Sequence, residues 1–578
     1  MMALKNIQAE TTAEAYLALL ADRGVDYLFG NAGTDFASLI EAFSKVQLGK
    51  GKAPIPVTVP HENVAVAMAH GYYLVTCRPQ AVMVHVSVGT ANAVCGIMNA
   101  ARERVPILFS AGRTPITESG LKGSRSIYIH WAQEMFDQAT MVREFVKWDY
   151  ELRNLEQLAP VVDRALSISM SHPRGPVYLQ LPREVLADSL DGYTFDSPSV
   201  INPAKMPSAN TVAVDQAAAY ISKAKNPLII SSSFGQDPTN VSILEVFSEK
   251  YAIPVVSYRP RYINLPLGHP MHAGFEPGER LGEADFVLIL ESDTPWIPSL
   301  HRINPDAKIV QVGVDPLFVN YPIRGFNSDL TVAADPAEFL NAIDRAISTP
   351  MGVGERRKAM DHIKNKRTER IAAIIHKQRS GRPIGYEWLA HCIGNVMNEN
   401  DCLVSESQLP QEFLGSRKAG TFFGTSPAGG LGWGLGAALG VKLGTPDSRI
   451  ICVVGDGSYM FGNPTPAHFV GASLCLPILT IILNNRMWGS VRKATLGMYP
   501  DGAASRLNRS PLTSLDPNPE FEKIVEASGG YGERVNNAED LPGALDRALK
   551  IVDVEKRQVV LNVQTIYDDK QALADAKR

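Results

Sequence analysis

The sequence predicts an α/β fold built from three doubly wound parallel-sheet domains. Short apolar segments with strand character alternate with segments of helical character, which is the pattern of parallel sheets covered by helices. The alternation recurs three times along 578 residues, a length too great for one hydrophobic core. Two stretches interrupt it, because residues 183–210 are rich in Asp, Ser, Pro and Asn, and residues 354–370 are highly charged.

The elements can be placed in order along the chain. In the first unit we expect helices over 12–23 and 38–43 and strands over 25–29, 57–60, 81–85, 106–109 and 177–181. In the second unit we expect strands over 227–230, 254–258, 286–290 and 308–312. The third unit runs from about 384 to 565, with strands leading into Gly455 and over 478–483. Between and beyond them we expect an irregular linker at 183–210, a solvated helix at 354–370, a mobile loop at 486–500 and a polar tail at 568–578.

Bulk composition excludes several function classes. The formal net charge of −4 gives no electrostatic case for binding nucleic acid or an anionic membrane. None of the six cysteines forms a C-x-x-C pair, and we expect reduced, mostly buried thiols. The N-terminus lacks the apolar core of a signal peptide, and no apolar run is long enough to span a bilayer. We therefore expect a soluble, cytoplasmic protein.

Residues 450–485 carry the strongest functional pattern. An apolar strand leads into Gly455, Asp456 and Gly457, and a helix is expected to begin with Asn463 as its N-cap and Pro464 as its first residue. A second apolar strand ends at Asn485. Because ligands bind at the carboxyl ends of parallel strands, Asp456 and Asn485 should lie close together. Two glycines let a bulky anion approach the backbone, and Asp with Asn suits Mg²⁺, so the pattern predicts a metal–diphosphate clamp.

This pattern resembles the cofactor motif of the thiamine-diphosphate-dependent decarboxylases and carboligases. The resemblance extends over nearly the whole chain and is closest to the benzoylformate decarboxylase and acetolactate synthase branch. It implies thiamine diphosphate and Mg²⁺ as cofactors. It also implies a pyrimidine-binding domain at 5–190, a central domain at 205–347 and a diphosphate-binding domain at 375–565.

The resemblance assigns roles to individual residues. Glu62 would hydrogen-bond the aminopyrimidine ring and control its proton. The Gly429 carbonyl would accept the amino group of the cofactor, and Leu431 would hold the cofactor bent. The diphosphate ligands would be Ser405, Ser407, Gln408, Gly455, Gly457 and Ser458, and the metal ligands Asp456, Asn485 and the Met487 carbonyl.

The resemblance implies fewer residues for substrate binding. His85 ends a strand in a V-M-V-H-V-S-V-G-T-A-N run similar to one in benzoylformate decarboxylase, and Thr34 falls where that enzyme has a serine. A hydroxyl and an imidazole could bind a 2-oxo acid carboxylate and return a proton after CO₂ leaves. His61 is a second catalytic candidate, and Asn92 and Gln133 are further cleft candidates. No histidine of residues 292–301 matches that family's second active-site histidine.

The sequence therefore predicts a 2-oxo acid decarboxylase, with carboligation to an aldehyde as an accompanying activity. Three alternatives stay open: acetolactate synthase, a 2-hydroxyacyl-CoA or oxalyl-CoA lyase, and a non-catalytic homologue that binds the cofactor. The resemblance implies a homodimer or homotetramer whose active sites lie between subunits.

Overall fold

The computed structural model describes residues 3–348, 350–507 and 511–565. It contains three parallel sheets, each from one part of the chain, and a small antiparallel pair. The fold class predicted from the sequence is therefore confirmed. Residues 568–578, expected to be a polar tail, lie outside the described residues. No helix in the described part of the chain is long and apolar enough to cross a membrane.

The first part of the chain forms a six-stranded parallel sheet in the order β3-β2-β4-β5-β7-β6. Its strands, with the antiparallel pair β1 and β8, are β1 (Ala3–Ile7), β2 (Tyr27–Gly30), β3 (Ile55–Thr58), β4 (Gln80–Val84), β5 (Ile107–Arg113), β6 (Asp149–Glu151), β7 (Val177–Pro182) and β8 (Tyr193–Ser197). Its helices are α1 (Thr12–Asp22), α2 (Ala37–Gln47), α3 (Glu62–Thr76), α4 (Val86–Arg102), α5 (Ile129–Ala132), α6 (Leu158–Met170) and α7 (Arg183–Ala187).

The central part forms a five-stranded parallel sheet in the order β10-β9-β11-β12-β13. Its strands are β9 (Pro227–Ser231), β10 (Val255–Ser257), β11 (Phe286–Leu290), β12 (Lys308–Gly313) and β13 (Leu330–Ala333). Its helices are α8 (Thr211–Lys223), α9 (Pro238–Tyr251), α10 (Gly278–Glu283) and α11 (Pro336–Ala346). The long helix α12 (Val353–Gln378) then connects to the last sheet, and its largely exposed surface confirms the solvated helix expected at 354–370.

The last part forms a six-stranded parallel sheet in the order β15-β14-β16-β17-β19-β18. Its strands are β14 (Cys402–Glu406), β15 (Phe422–Gly424), β16 (Ile450–Gly455), β17 (Leu479–Asn484), β18 (Tyr531–Val535) and β19 (Val559–Gln564). Its helices are α13 (Tyr386–Val396), α14 (Trp433–Gly444), α15 (Asp456–Phe461), α16 (Pro464–Ser473), α17 (Gly489–Met498), α18 (Ala503–Leu507), α19 (Glu522–Glu526) and α20 (Leu541–Lys550).

Both faces of each sheet are covered, which explains why the strands read as continuous apolar runs. On β4, Val82 and Val84 pack into one core and Ala81 and Met83 into the core on the opposite face. The first of these cores also contains residues of α14 and β16, so the first and last sheets share one hydrophobic core. The two parts of the chain that carry the predicted site are thereby held together.

Two parallel helices form the centre of this shared core. On α14, Gly436 lies against Ala67 of α3, and Gly440 lies against the backbone of Met68. A methyl group on Gly440 would come within 2.1 Å of the Met68 carbonyl oxygen, so only glycine permits this approach. The register brings the first turns of α3 and α14, which begin at Glu62 and Trp433, to the same end of the helix pair.

Three local expectations are wrong in whole or in part. Residues 183–210 form an irregular linker only from residue 198 onwards, because residues 183–197 contain α7 and β8, and β8 pairs with β1. The alternation of aromatic Tyr193 and Phe195 with polar neighbours indicated this strand, but the surrounding Asp, Ser and Pro residues obscured it. Residues 486–500, expected to be a loop, contain α17. Helix α16 does begin at Pro464, but Asn463 has φ +49° and its side chain makes no capping hydrogen bond.

Candidate functional site

Three predicted residues meet at one edge of the first sheet. Glu62, Thr34 and His85 follow β3, β2 and β4, which are neighbours in the order β3-β2-β4. Parallel strands present their carboxyl ends at the same edge, so these side chains converge there. His85 and Glu62 are close enough for the charge of Glu62 to act on the imidazole.

Glu62 is the first residue of α3 and is 8% exposed. Its Oε2 accepts a hydrogen bond of 2.5 Å from the Nδ2 of Asn92 on α4. Gly89, one turn earlier on α4, lies beside the other oxygen of Glu62, because a methyl group on Gly89 would lie 3.3 Å from Oε1. Asn92, a cleft candidate from the sequence, is therefore a direct partner of Glu62.

His85 is paired with a carboxylate that sequence reasoning missed. Its Nδ1 lies 2.6 Å from Oδ1 of Asp35, which is 2% exposed, and Oδ2 of Asp35 accepts the Val86 amide at 3.3 Å. The pKa of His85 is raised, first by this hydrogen bond and then, against the effect of burial, by the charges of Asp35 and Glu62. Asp35 adjoins Thr34 in the sequence, but its pairing with His85 spans 50 residues and has no local signal.

The free edge of the His85 ring faces the amide of Gln133. Nε2 lies 3.3 Å from Nε2 of Gln133, whose amide oxygen is buried without a hydrogen-bond partner among the described residues. Because Nδ1 donates to Asp35, neutral His85 can accept from the Gln133 amide nitrogen, and protonated His85 can donate to the oxygen after an amide flip. The side chain of Gln133 can thus accommodate both protonation states of His85.

The other two candidates on this sheet make polar contacts of different kinds. The Thr34 hydroxyl lies 3.5 Å from Nε2 of His130, a buried histidine whose pKa is lowered chiefly by burial. His61 caps α3, because its Nδ1 accepts the Asn63 amide at 3.2 Å. Its Nε2 lies 2.9 Å from the side-chain amide of Asn463, which precedes α16 in the last part of the chain. Both ring nitrogens of His61 are therefore engaged in structural contacts.

The predicted clamp is assembled at the carboxyl edge of the last sheet. Asp456 begins α15 directly after β16, and its Oδ1 accepts the Gly457 amide at 2.8 Å. Its Oδ2 accepts the Arg486 amide at 2.6 Å. The expectation that Asp456 lies beside the segment containing Asn485 is therefore confirmed. Two asparagines lie at the end of β17. Asn484 is buried, and its amide nitrogen donates to the side chains of Asn518 and Asn562. Asn485 accepts the Met487 amide through Oδ1 and donates to the Tyr386 hydroxyl through Nδ2.

This edge offers oxygen ligands suited to a hard cation. Asp456 is 3% exposed, and burial raises its pKa to about 6 despite the backbone amides that donate to it. Among the described residues, no Lys, Arg or His side chain forms an ion pair with Asp456. A buried carboxylate without a cationic partner fits a bound cation, and the Asn485 amide oxygen and Met487 carbonyl lie on the adjoining segment. No group of three His, Cys, Asp or Glu side chains in the described chain offers a competing metal site.

The two glycines of the clamp have different surroundings. A methyl group on Gly457 would lie 2.3 Å from the Trp488 ring, so protein atoms already occupy that space. At Gly455 the nearest atom would be the Ser458 hydroxyl at 3.8 Å. Only the space at Gly455 is therefore open to a ligand.

The carboxyl end of β14 carries a second missed carboxylate, Glu406. Ser405 and Ser407 lie 3.1 Å apart through their hydroxyls, and Gln408 donates to Ser490 at 3.2 Å. Between them, Glu406 accepts the Gly432 amide at 2.7 Å. Burial raises the pKa of Glu406 to about 7 although backbone amides and the Ser458 hydroxyl donate to its carboxylate. A charged residue at the end of an apolar strand was visible in the sequence and could have indicated this buried group.

The glycine-rich loop before α14 is held by the first sheet's helix α4. Asn99 donates to the Gly430 carbonyl at 2.8 Å and accepts the Gly430 amide at 3.1 Å. Gly429 has φ +65°, no other atom lies within 4 Å of the position that a methyl group on it would take, and Leu431 is half-buried. The loop is thus fixed in place while the surroundings of Gly429 stay open.

Trp296 lies in segment 292–301, which lacks the matching histidine, and it is part of the core beside the central sheet. Trp296 is 5% exposed and packs edge-on against Phe326 with ring centroids 5.2 Å apart. Its indole therefore belongs to the hydrophobic core of the central sheet.

Comparison with known proteins gives a consistent result. Three family models match the chain: the N-terminal TPP binding domain, the central domain and the C-terminal TPP binding domain of thiamine pyrophosphate enzymes, over residues 10–141, 214–343 and 405–563. The acetolactate synthase large subunit of Buchnera aphidicola is 24% identical over 570 residues, covering 96% of this chain and 94% of that protein.

Solved structures of similar fold include two decarboxylases. The thiamine diphosphate-dependent 4-hydroxybenzoylformate decarboxylase of Rhodococcus jostii has a TM-score of 0.76 and 21% identity, covering 97% of this chain and 100% of that one. Benzoylformate decarboxylase from Polynucleobacter necessarius has a TM-score of 0.79 and 20% identity, covering 97% and 99%. At these identities the structural likeness concerns the fold alone.

Proposed function

We propose, from the premise that this chain belongs to the thiamine pyrophosphate enzymes, that it decarboxylates a small 2-oxo acid and can join the product to an aldehyde. The observation that carries the proposal is the convergence of Glu62, Thr34 and His85 at one sheet edge. Bound thiamine diphosphate would supply the electron sink that C–C bond cleavage next to a carbonyl requires.

Residues of the last sheet would hold the cofactor. Asp456, Asn485 and the Met487 carbonyl would bind Mg²⁺, and the open backbone at Gly455 would admit a phosphate. Ser405, Ser407 and Gln408 lie two strands from β17 at the same sheet edge and would donate to phosphate oxygens. The unpaired Asp456 carboxylate supports the metal assignment, because a buried anion is costly without a cation.

Residues of the first sheet would control protons. Glu62, oriented by Asn92, would hold the proton shared with the pyrimidine ring of the cofactor. His85, whose charged form is favoured by its pairing with Asp35, would bind the substrate carboxylate and return a proton after CO₂ leaves. Thr34 would position the substrate through its hydroxyl, and His61 is left the weaker candidate because both of its ring nitrogens are engaged.

A Glu62→Gln variant tests the proton role. We expect it to bind thiamine diphosphate nearly as wild type does, since the side chain keeps its size, and to release no CO₂. Titration calorimetry measures the binding, and a CO₂ assay over a panel of 2-oxo acids measures turnover. Glu41→Gln, on an exposed face of α2, is the matched control. Unchanged turnover in Glu62→Gln would contradict the proposed mechanism.

Acetolactate synthase activity is a second candidate. The full-length similarity to acetolactate synthase large subunits favours it over the acyl-CoA lyase and non-catalytic alternatives. The same panel distinguishes the two functions when it is run with pyruvate alone and with pyruvate plus an aldehyde. Acetolactate as the main product would favour the synthase.

We also propose that the active site is completed by a second subunit. Among the described residues no contact joins Glu62 to Asp456 or Asn485. Large exposed apolar side chains lie on both the first and last parts of the chain, including Phe136 and Phe469, and such surfaces mark interfaces. Mixing inactive Glu62→Gln and Asp456→Asn chains under subunit exchange should restore partial activity. Persistent inactivity despite demonstrated exchange would argue against shared sites.

A further inference from the structure

A large cavity lies between the central sheet, helix α12 and the last sheet. Its volume is about 800 Å³, within the range of small-molecule binding sites. One end is formed by Ser405, Ser407 and Gln408 at the carboxyl end of β14, the residues proposed above to bind the phosphates of the cofactor. Strand β14 pairs with β16, whose end carries Asp456, and neighbouring strands are about 4.8 Å apart. The cavity therefore opens onto the same sheet edge as the clamp.

The lining of this cavity is rich in cationic side chains. Arg259, Arg280, Lys366, Arg367 and Arg370 line it. Among its described lining residues two are carboxylates, and both are paired, since Glu276 lies 3.7 Å from Arg259 and Glu412 pairs with Arg370. Within the described ranges, Arg280, Lys366 and Arg367 have no carboxylate within 4 Å.

One of these cations is fixed in place by the backbone. Arg367 donates to the carbonyls of His272 at 2.9 Å and Leu267 at 3.3 Å. The pKa of Arg367 is lowered, first by burial and then by the positive charges of Arg370 and Arg280. Three guanidinium groups are thus held near one another with a single carboxylate among them, an arrangement that an anionic ligand would stabilise.

We propose that this cavity receives the far end of the substrate and selects 2-oxo acids that carry a second anionic group remote from the reacting carbonyl. The inference rests on the proposed function and specifies its substrate class. Arginine forks match carboxylates and phosphates, and the apolar wall supplied by Phe275 and Phe422 would contact the carbon chain between the two anionic ends.

Two substrates of equal chain length test the proposal with the holoenzyme. 2-Oxoglutarate and 2-oxopentanoate differ only in the terminal carboxylate. A hydrogen bond between charged groups is worth about 10- to 150-fold in an equilibrium constant. We expect kcat/KM for CO₂ release from 2-oxoglutarate to exceed that from 2-oxopentanoate by at least about tenfold.

Variants of the lining make the test specific. Lys366→Gln and Arg280→Gln should lower kcat/KM about tenfold or more for 2-oxoglutarate and leave that for 2-oxopentanoate unchanged. Lys364→Gln is the matched control, because Lys364 lies on the same exposed helix and does not line the cavity. Equal use of both acids by the wild type, or equal losses for both acids in the variants, would overturn the proposal.

Calorimetry separates failure of this inference from failure of the proposed function. Suppose that neither acid releases CO₂, that 2-oxoglutarate still binds, and that Lys366→Gln weakens this binding about tenfold. The anion site would then be retained, and the decarboxylation of 2-oxoglutarate would be refuted. No binding of 2-oxoglutarate by the holoenzyme would overturn the cavity assignment. Release of CO₂ from 2-oxopentanoate alone would retain the decarboxylase and reject the anionic selectivity.

Discussion

The two glycines of the clamp provide a sharp test of its geometry. In Gly457→Ala the new methyl carbon would lie 2.3 Å from Cζ3 of Trp488. In Gly455→Ala, two residues earlier, the nearest atom lies 3.8 Å away, and the φ of −72° suits any residue. The chemical change is identical, so a difference between the variants measures the local packing.

The expected magnitude follows from that overlap. Carbon atoms pack at about 3.5–4.0 Å, so the Trp488 ring must move by about 1.2–1.7 Å to admit the methyl group of Gly457→Ala. Its backbone is held, because the Trp488 amide donates to the Thr513 carbonyl at 2.8 Å. Overpacking of this kind costs about 1–3 kcal/mol. Because Trp488 follows Met487, the displacement should also disturb the proposed metal ligand.

Thermal unfolding of the cofactor-free protein measures the packing cost. For a domain of this size, 1 kcal/mol changes Tm by about 2–4 °C, so Gly457→Ala should lower Tm by about 2–12 °C. Gly455→Ala should leave Tm unchanged and should still weaken thiamine diphosphate binding, since its methyl group would enter the space assigned to a phosphate. Titration calorimetry measures that binding.

Either of two results would refute this reasoning. Equal Tm values for the two variants would show that Trp488 does not fill the space beside Gly457. Normal cofactor affinity in Gly455→Ala would show that no ligand approaches the backbone there.

Two further predictions concern the helix pair and the histidine pair. Gly440→Ala should destabilise the protein by more than about 3 kcal/mol in urea unfolding, because the Met68 backbone cannot move aside as a side chain does. The control Gly354→Ala, whose methyl group meets no atom within 4 Å, should be neutral or slightly stabilising. Equal effects of the two variants would refute the close packing of α3 and α14. Asp35→Asn should cost about 1.5–3 kcal/mol at pH 6, where His85 is charged, and less at pH 9. The sign follows from the raised pKa of His85, whose contribution to stability is present below the unfolded value near 6.5 and is lost as pH rises through the folded pKa. A cost independent of pH would show that Asp35 does not stabilise the charged imidazole.

Much of the fold and part of the site could be predicted locally. The strands ending at Gly455 and Asn484 are apolar runs followed by polar residues, and strand ends of a parallel sheet meet at one edge, so the nearness of Asp456 to the Asn485 segment followed from the pattern. Glu62, Thr34 and His85, by contrast, were implied by the family resemblance, and the strand order β3-β2-β4 explains why they lie together. Local composition misled where polar residues occur inside regular elements, as in β8 and α17.

Contacts between distant parts of the chain could not be predicted. Asp35 beside His85 and Glu406 beneath the Gly432 loop are buried carboxylates whose partners lie on other elements. The cations of the cavity likewise come from two separate segments, residues 259–280 and 366–370, and neither segment indicates the cavity by itself.

The sequence by itself determined the fold class, which depends on the periodicity of its strands and helices, and its motifs resembled those of a known family. It also predicted where Asp456 meets the Asn485 segment, because that depends on spacing along one strand–helix–strand unit. Only the tertiary structure decided which glycine faces protein and which faces open space. It also decided that His61 is a helix cap, and that Arg280, Lys366 and Arg367 lack carboxylate partners within the described ranges. These contacts depend on how the sheets pack against one another, and the order of residues along one segment does not reveal that packing.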